Sequence, residues 1–338
     1  MSYRIAIAGT GSMAGMHARA IQAQPDAELC AVAGHTRERL RKFAAEFNIP
    51  RAYDSLDDLI SMRAADALVI ATPNYLHASQ AIQALQAGLH VLIERPLGLD
   101  LAQARAISGA SQYSGALLMM AHVYRFDPQV IWLREQVLSG RLGPVLRSRS
   151  LALRTSGPMG GAWYKEKRHS GGGALAEAGL DALDTLRFIL GNPNPVNVYA
   201  RMEYGFSSSE VEDAADVLVQ WEDGSVSTLG AAWHLPYAEA PLAFTEVYGR
   251  DGYGQIYPAF VQVRTENSLV REDPGIPMDD PHPSQELYNR QMAYFVQCIG
   301  LNYPPLPGVC EGELNQQILE AAYTSARTKQ VGKLRVKT

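Results

Sequence analysis

Three small residues near the start of the chain have the spacing of a turn that binds phosphate. Gly9, Gly11 and Ala14 follow the apolar segment 4–8 and open a segment of helical character. Gly9 permits a tight turn, Gly11 lets backbone N–H groups approach a pyrophosphate, and Ala14 lets a helix pack close to the strand. The start of that helix offers unpaired N–H groups and the positive end of its dipole to an anion. A glycine turn that serves only as a connection is the alternative. We predict a dinucleotide site formed by Gly9, Gly11, Ser12, Met13 and Ala14.

The residues after the second predicted strand bear on the choice of dinucleotide. This strand, 28–33, is followed by Gly34, His35, Thr36 and Arg37. Domains that select NAD usually place a carboxylate here to bind the ribose 2′-OH, and no carboxylate stands at this strand end. Thr36 with Arg37 or Arg39 can instead hold a 2′-phosphate. We predict that His35, Thr36 and Arg37 bind the cofactor and that NADP is preferred over NAD; arginines that only solvate a helix start are the alternative.

Predicted strands and helices alternate along the first third of the chain, around these residues. The continuous apolar run at 67–71 is typical of a buried parallel strand, and the segments 90–94 and 116–120 are predicted to form further strands of this kind. Helical segments lie between them, with capping residues at Ser55 and Asp100. We predict an α/β fold whose N-terminal domain, 1–123, is a dinucleotide-binding Rossmann domain with a doubly wound parallel sheet.

The character of the chain changes near residue 124. Asp127-Pro128 favours a helix start, and the strands that follow are longer and alternate between apolar and polar residues. The segment Trp221-Glu222-Asp223-Gly224-Ser225 predicts a hairpin between two of them. We therefore predict a second, α+β domain over 124–338, with a large, mostly antiparallel open sheet and a role in substrate binding and oligomerisation.

Composition excludes several classes of function. The chain has 338 residues, of which 47% are apolar and 19% charged, which is typical of a globular protein with a sizeable core. A formal net charge of -5 gives no support for binding nucleic acid or an anionic membrane surface. Three scattered cysteines and eight histidines without ligand spacing predict no metal site. We find no signal peptide or membrane span and expect a cytoplasmic protein whose partner is a small molecule.

Several motifs in order give the chain a resemblance to a known family. They are the Gly9-x-Gly11-x-x-Ala14 turn, the segments 71–74 with His77, 88–96 and 124–126, and Gly171-Gly172-Gly173 with Gly179 and Asp184. Together, over nearly the whole chain, this set resembles the Gfo/Idh/MocA family of NAD(P)-dependent oxidoreductases. The resemblance implies a Rossmann domain followed by an α/β domain whose open sheet serves as a subunit interface, in a homodimer or homotetramer. It also implies that the cofactor is contacted by Thr72, Pro73, Asn74, His77, Glu94 and Arg95.

The chain departs from the family at the three positions that carry its proton chemistry. By the resemblance, a Lys is expected where Arg95 stands, an Asp where Glu177 stands, and a His where Asp181 stands. Arg95 can stabilise an oxyanion but remains charged and cannot accept a proton near neutral pH. Glu177 and Asp181, four residues apart, would share one helix face and one cleft, where each would raise the pKa of the other. We predict Arg95, Glu177 and Asp181 as catalytic residues; two carboxylates that only solvate an exposed helix are the alternative.

A glycine-rich loop over 154–173 and the residues after the strand predicted at 116–120 supply further polar and aromatic side chains. Tyrosine, lysine and histidine can act as general acids or bases, and an indole can cover a sugar face. Packing within the loop is the alternative role. The candidates for substrate binding are His122, Tyr124, Trp163, Tyr164, Lys165 and His169.

The resemblance implies that the chain transfers a hydride between a nicotinamide cofactor and a carbohydrate, polyol or related hydroxy or keto compound. Loss of the expected Lys and His keeps two alternatives open. One is a sensor or regulatory protein that binds the cofactor without chemistry. The other is a redox-neutral enzyme that uses a bound cofactor transiently.

Overall fold

The structure, a computed structural model, describes residues 2–63, 65–157, 161–205, 207–235, 242–266, 268–276 and 284–334. The chain forms two compact units. Unit 1 consists of Met1–Val123 and Pro283–Gln316, and unit 2 of Tyr124–His282 and Gln317–Thr338. The first boundary falls where the chain changes character. The segment 283–316, which we predicted to lie in the second domain, belongs to unit 1 in the structure.

Unit 1 contains a six-stranded parallel sheet with the strand order β3-β2-β1-β4-β5-β6. Crossing from β1 to β4 reverses the direction in which the strands are added, and ligands of such sheets bind at this point. The predicted doubly wound sheet is confirmed. Its strands are β1 (Tyr3–Ala8), β2 (Ala27–Ala33), β3 (Ala52–Tyr53), β4 (Ala67–Ile70), β5 (His90–Ile93) and β6 (Leu118–Met120).

Five helices connect these strands, and two of their predicted caps are confirmed. The Ser55 hydroxyl accepts the Asp58 N–H at 3.1 Å, and the Asp100 carboxylate accepts the Gln103 N–H at 2.8 Å. Each bond satisfies one of the backbone donors that a helix start leaves open. The helices are α1 (Ser12–Gln22), α2 (Arg37–Glu46), α3 (Leu56–Ser61), α4 (Asn74–Gln86) and α5 (Leu101–Ser114).

The described part of unit 2 contains a nine-stranded sheet with the order β14-β13-β12-β11-β7-β10-β9-β8-β15. Only the pair β7 and β10 is parallel, so the predicted mostly antiparallel sheet is confirmed, as is the hairpin between β9 and β10. Its strands are β7 (Val145–Leu153), β8 (Pro195–Glu203), β9 (Ala214–Trp221), β10 (Val226–Ala232), β11 (Leu242–Gly249), β12 (Gly252–Ile256), β13 (Phe260–Arg264), β14 (Leu269–Glu272) and β15 (Gly332–Lys333).

Helices pack on this sheet through two apolar clusters. One joins Leu183 and Ile318 to the strand residues Val217 and Val219, and the other joins Leu133 to Val247. Helix α8 is preceded by a π-helical turn, Leu175–Gly179, in which the Gly179 N–H donates to the Ala174 carbonyl. The helices after residue 124 are α6 (Pro128–Leu138), α7 (Lys167–Ser170), α8 (Leu180–Ile189), α9 (Gln285–Leu301) and α10 (Val309–Thr328), of which α9 belongs to unit 1.

The segment after the second sheet returns to unit 1 through contacts between α9 and α1. The Arg19 guanidinium donates to Gln285 Oε1 at 2.9 Å, and Gln285 Nε2 donates to the Met16 carbonyl at 3.0 Å. The ring of Tyr288 packs edge-on against that of His17, with centroids 5.4 Å apart. These polar contacts involve residues more than 250 positions apart, which is why the sequence did not indicate them. In the described part of the chain, no helix is long and apolar enough to cross a membrane.

Candidate functional site

The predicted phosphate-binding turn has the backbone that a dinucleotide requires. Gly9 has φ +117°, and a Cβ there would lie 2.8 Å from the carbonyl carbon of Ala71 and closer still to its oxygen. Gly11 is the N-cap of α1, and a Cβ on it would meet no protein atom within 4 Å. Ala14 is completely buried beneath the helix. Unit 1 therefore has open space in front of the first turn of α1, and this space fits a pyrophosphate held by backbone N–H groups.

The start of α2 places an exposed arginine beyond the end of β2. Thr36 is the N-cap of α2 and Arg37 its first residue. The Arg37 guanidinium pairs with the Asp54 carboxylate through Nε at 3.0 Å and Nη2 at 2.9 Å. Both side chains are largely exposed, and such a pair is worth little because water screens it. A stronger anionic partner can therefore displace Asp54 from Arg37.

His77 joins two loops at the carboxyl ends of β4 and β5. Its ring is completely buried, with Nδ1 2.7 Å from the Pro96 carbonyl oxygen and Nε2 2.9 Å from the Thr72 carbonyl oxygen. Burial lowers the pKa of His77, and its two carbonyl partners and the Glu94 carboxylate oppose this shift. The described contacts give His77 a positioning role for both loops.

Thr72, Pro73 and Asn74 fix the loop after β4 and the start of α4. The Thr72 hydroxyl donates to Gln80 Oε1 at 2.7 Å, Pro73 is the N-cap of α4, and Asn74 is its buried first residue. The loop after β4 is thus held firmly on the side where the sheet order reverses.

A buried histidine that the sequence analysis did not select lies against Glu94. His17 is fully buried on α1, and its Nε2 lies 2.8 Å from Glu94 Oε1. Burial raises the pKa of Glu94, but the hydrogen bond from His17, together with the charges of His17, Arg95 and His77, outweighs it and leaves that pKa below its usual range. A polar residue three positions after Ala14, on the buried face of α1, was the available signal. His122 has a comparable buried place in unit 1, with Nε2 3.3 Å from Asn315 Nδ2.

Unit 2 contains a cavity of about 620 Å³, open mouth included, between α8 and strands β7 and β11. We call it the α8 cavity. Of the predicted site residues, Asp181 and Tyr124 line it. The complete lining is Tyr124, Ser150, Leu151, Ala152, Leu153, Arg154, Ala178, Asp181, Ala182, Thr185, Ala243, Phe244, Thr245, Ile256 and Tyr257.

Glu177 has other partners than those expected. Its carboxylate is buried, with Oε1 2.8 Å from Arg154 Nη2 and Oε2 accepting the indole N–H of Trp233 at 3.0 Å. Glu177 is not among the residues that line the α8 cavity. The expected shared face assumed a regular α-helix, whereas the turn containing Glu177 is π-helical and holds an extra residue per turn. Glu177 instead positions Arg154, whose side chain reaches the cavity wall.

Two further carboxylates of unit 2, those of Asp184 and Glu212, are buried and hydrogen-bonded. Asp184 forms a bidentate pair with Arg125, with both bonds at 2.7 Å and both side chains 2% exposed. Glu212 accepts the N–H groups of Gly173 and Leu175 at 2.9 and 3.1 Å, at the start of the π-helical turn. The motif residues Arg125 and Asp184 thus form a structural pair.

The third glycine of the triple glycine is required because it lies against the backbone of Glu212, in the segment just before β9. A Cβ on Gly173 would lie 2.9 Å from the Glu212 carbonyl carbon.

The four substrate-binding candidates of the loop, Trp163, Tyr164, Lys165 and His169, are not among the residues that line the α8 cavity. Trp163 and Tyr164 stack on each other with centroids 3.8 Å apart, and His169 Nδ1 lies 3.1 Å from a Glu166 carboxylate oxygen. The backbone carbonyl of Lys165 accepts the Glu210 N–H. Their proposed contacts with substrate stay predictions, and residues 158–160 of this loop lie outside the described residues.

Two family models match the chain across these features. One, described as an oxidoreductase family with an NAD-binding Rossmann fold, matches residues 3–122, and the other, the GFO/IDH/MocA C-terminal domain, matches residues 130–254. The fold and site thus define an NAD-binding oxidoreductase. The chain belongs to the Gfo/Idh/MocA family, which confirms the resemblance seen in the sequence.

The chain is similar along nearly its whole length to named members of this class. It is 25% identical to D-glucoside 3-dehydrogenase of Escherichia coli (strain K12), over 96% of this chain and 95% of the relative. It is 27% identical to D-xylose 1-dehydrogenase (NADP(+)) 2 of Haloferax volcanii, over 91% of this chain and 92% of the relative. The structure of levoglucosan dehydrogenase in complex with NADH has a TM-score of 0.91 at 19% identity, covering 100% of both chains, which shows a common fold.

Proposed function

We propose that this protein is an NAD(P)-dependent dehydrogenase or reductase that acts on a CH–OH group of a sugar or polyol. The observation that carries the proposal is the α8 cavity, because a chain whose glycine turn suits a dinucleotide also has a pocket with an acidic residue, Asp181, in its lining. The family match and the dehydrogenases among its relatives support this substrate class. When bound, the nicotinamide cofactor supplies the hydride acceptor or donor.

Residues of this chain bind the diphosphate, accept the proton of the substrate and stabilise the alkoxide. The first turn of α1, open in front of Gly11, binds the diphosphate. Asp181 accepts the proton of the substrate hydroxyl, since it is the carboxylate on the cavity wall and the guanidinium of Arg95 cannot be a base. Arg154, held by Glu177, stabilises the developing alkoxide.

Asp181→Asn tests the assignment of the base. The amide keeps the shape of the side chain but cannot take a proton, so we expect kcat to fall by about 10²- to 10⁴-fold while cofactor affinity stays the same. Asp216→Asn, at an exposed position of β9, is the matched control. Wild-type turnover in Asp181→Asn would remove Asp181 from the mechanism.

We also propose that NADP(H) is preferred over NAD(H). The support is the absence of a carboxylate from Gly34 to Arg37 and the exposed, weakly paired guanidinium of Arg37. Titration of both cofactors should give tighter binding of NADPH, and Arg37→Ala should weaken NADPH by about tenfold with little effect on NADH. Lys42→Ala, an exposed cation on the same helix, serves as the control. Equal or tighter binding of NADH by the wild type would contradict the preference.

A further inference from the structure

We propose that the α8 cavity receives an apolar substituent, so that the substrate is a sugar or polyol carrying an alkyl or aryl group rather than an unsubstituted one. This inference rests on the proposed function. It follows from the side chains that form the walls of the cavity and from the hydrogen bonds already made by its polar residues.

Methyl groups form two facing walls. Ala152 on β7 and Ala243 on β11 are partners in the strand register and therefore project from the same face of the sheet. Ala178 in the π-helical turn and Ala182 on α8 contribute the helix side. These four small side chains leave the space that longer ones would fill, and Ile256 adds a further apolar surface.

Most polar side chains in the lining are already paired within the protein. The hydroxyls of Ser150 and Thr245 lie 2.9 Å apart and bond to each other across β7 and β11. The Tyr257 hydroxyl donates to an Asp127 carboxylate oxygen at 2.7 Å. Arg154, which also lines the cavity, makes the 2.8 Å ion pair with Glu177 through Nη2, and its other N–H donors serve the substrate oxygen beside Asp181.

These pairings decide what the cavity prefers. A sugar hydroxyl placed between the alanine methyl groups would lose its water, and the Ser150, Thr245 and Tyr257 hydroxyls of the lining are already paired, so its burial there is costly. An aliphatic or aromatic group placed there loses no hydrogen bond and buries apolar surface. The sugar ring is then recognised at Asp181, and the substituent by the alanine walls.

The inference is tested by calorimetry on the full chain saturated with NADPH, so that no turnover occurs during titration. The ligands are the phenyl β-D-glycosides of glucose, galactose and xylose, each beside its free sugar. We expect at least one phenyl glycoside to bind about tenfold more tightly than its free sugar, or better. The inference is overturned if no phenyl glycoside binds, or if every free sugar binds as tightly as its glycoside.

A variant that fills the cavity tests whether the alanine walls cause the tighter binding of the phenyl glycoside. Ala243→Leu should remove the advantage of the phenyl glycoside, bringing the ratio of the two dissociation constants to about one, and Ala243→Ser should retain it. If the leucine variant does not fold, Ala182→Val fills the opposite wall. An undiminished advantage in a folded filled variant overturns the assignment to this cavity.

Failure of the proposed function has a different signature. It would appear as the absence of cofactor binding or of oxidation of any sugar, polyol or glycoside. Turnover of free sugars without a phenyl advantage overturns this inference alone.

Discussion

Gly11→Ala should weaken dinucleotide binding while leaving the fold intact. Gly11 has φ −89° and ψ −175°, an extended conformation that alanine adopts freely. A Cβ there would meet no protein atom within 4 Å, so the added methyl group occupies only the space in front of the first turn of α1. Because that space is where the backbone must approach a pyrophosphate, the methyl group obstructs the ligand and nothing else.

Gly9→Ala provides the contrasting case in the same turn. Its φ of +117° is unfavourable for alanine, and its Cβ would lie 2.8 Å from the Ala71 carbonyl carbon. Left-handed strain costs about 1–2 kcal/mol and overpacking about 1–3 kcal/mol, so we expect a loss of about 3 kcal/mol in the free energy of unfolding.

Urea unfolding and cofactor titration distinguish the two variants. We expect Gly11→Ala to change the free energy of unfolding by less than about 1 kcal/mol, the scale of an N-cap substitution. Its cofactor dissociation constant should rise at least about tenfold, which corresponds to about 1.4 kcal/mol. If Gly11→Ala binds NADH and NADPH as tightly as the wild type, the placement of the diphosphate at α1 is refuted.

Two further predictions concern the buried carboxylates of unit 2. Asp184→Asn leaves the buried Arg125 charge without its partner and should lower the free energy of unfolding by about 3–5 kcal/mol; a loss below about 1 kcal/mol in urea unfolding would contradict the pairing. Burial raises the pKa of Glu212 above its ordinary value of 4.5, so the folded state binds the extra proton and its stabilisation is lost as pH rises through the folded-state pKa. Glu212→Gln, whose amide oxygen can still accept the Gly173 and Leu175 N–H groups, should flatten this decline in unfolding free energy, and an unchanged slope would contradict it.

The sequence predicted those turns and helix starts that depend only on residues close together in the chain. The glycine turn, the caps at Ser55 and Asp100, and the helix start at Asp127-Pro128 each depend on neighbouring residues and are confirmed. The two-residue strand β3 was not named, because Ala52–Tyr53 is too short for a periodic signal.

Pairings between distant residues could not be predicted. Glu177 bonds to Arg154 and Trp233, 23 and 56 positions away, and the intervening π-helical turn has no signature comparable to a cap. His17 and Glu94 are 77 positions apart, so only the folded chain brings their side chains together. The sequence therefore predicted the glycine turn and the helix after it, whereas the partners of the candidate catalytic residues required the fold.

The most direct test of the account is net reduction of NADP⁺ or NAD⁺ by the purified full chain, followed by the absorbance of the reduced nicotinamide. Sugars, polyols and alkyl and aryl glycosides are the substrates, and keto sugars serve for the reverse direction. We expect the protein to transfer hydride stoichiometrically with at least one of these compounds, and we expect the Asp181→Asn variant to lose this activity. Cofactor binding without net hydride transfer to or from any of these compounds would contradict it and would favour a cofactor sensor or a redox-neutral enzyme.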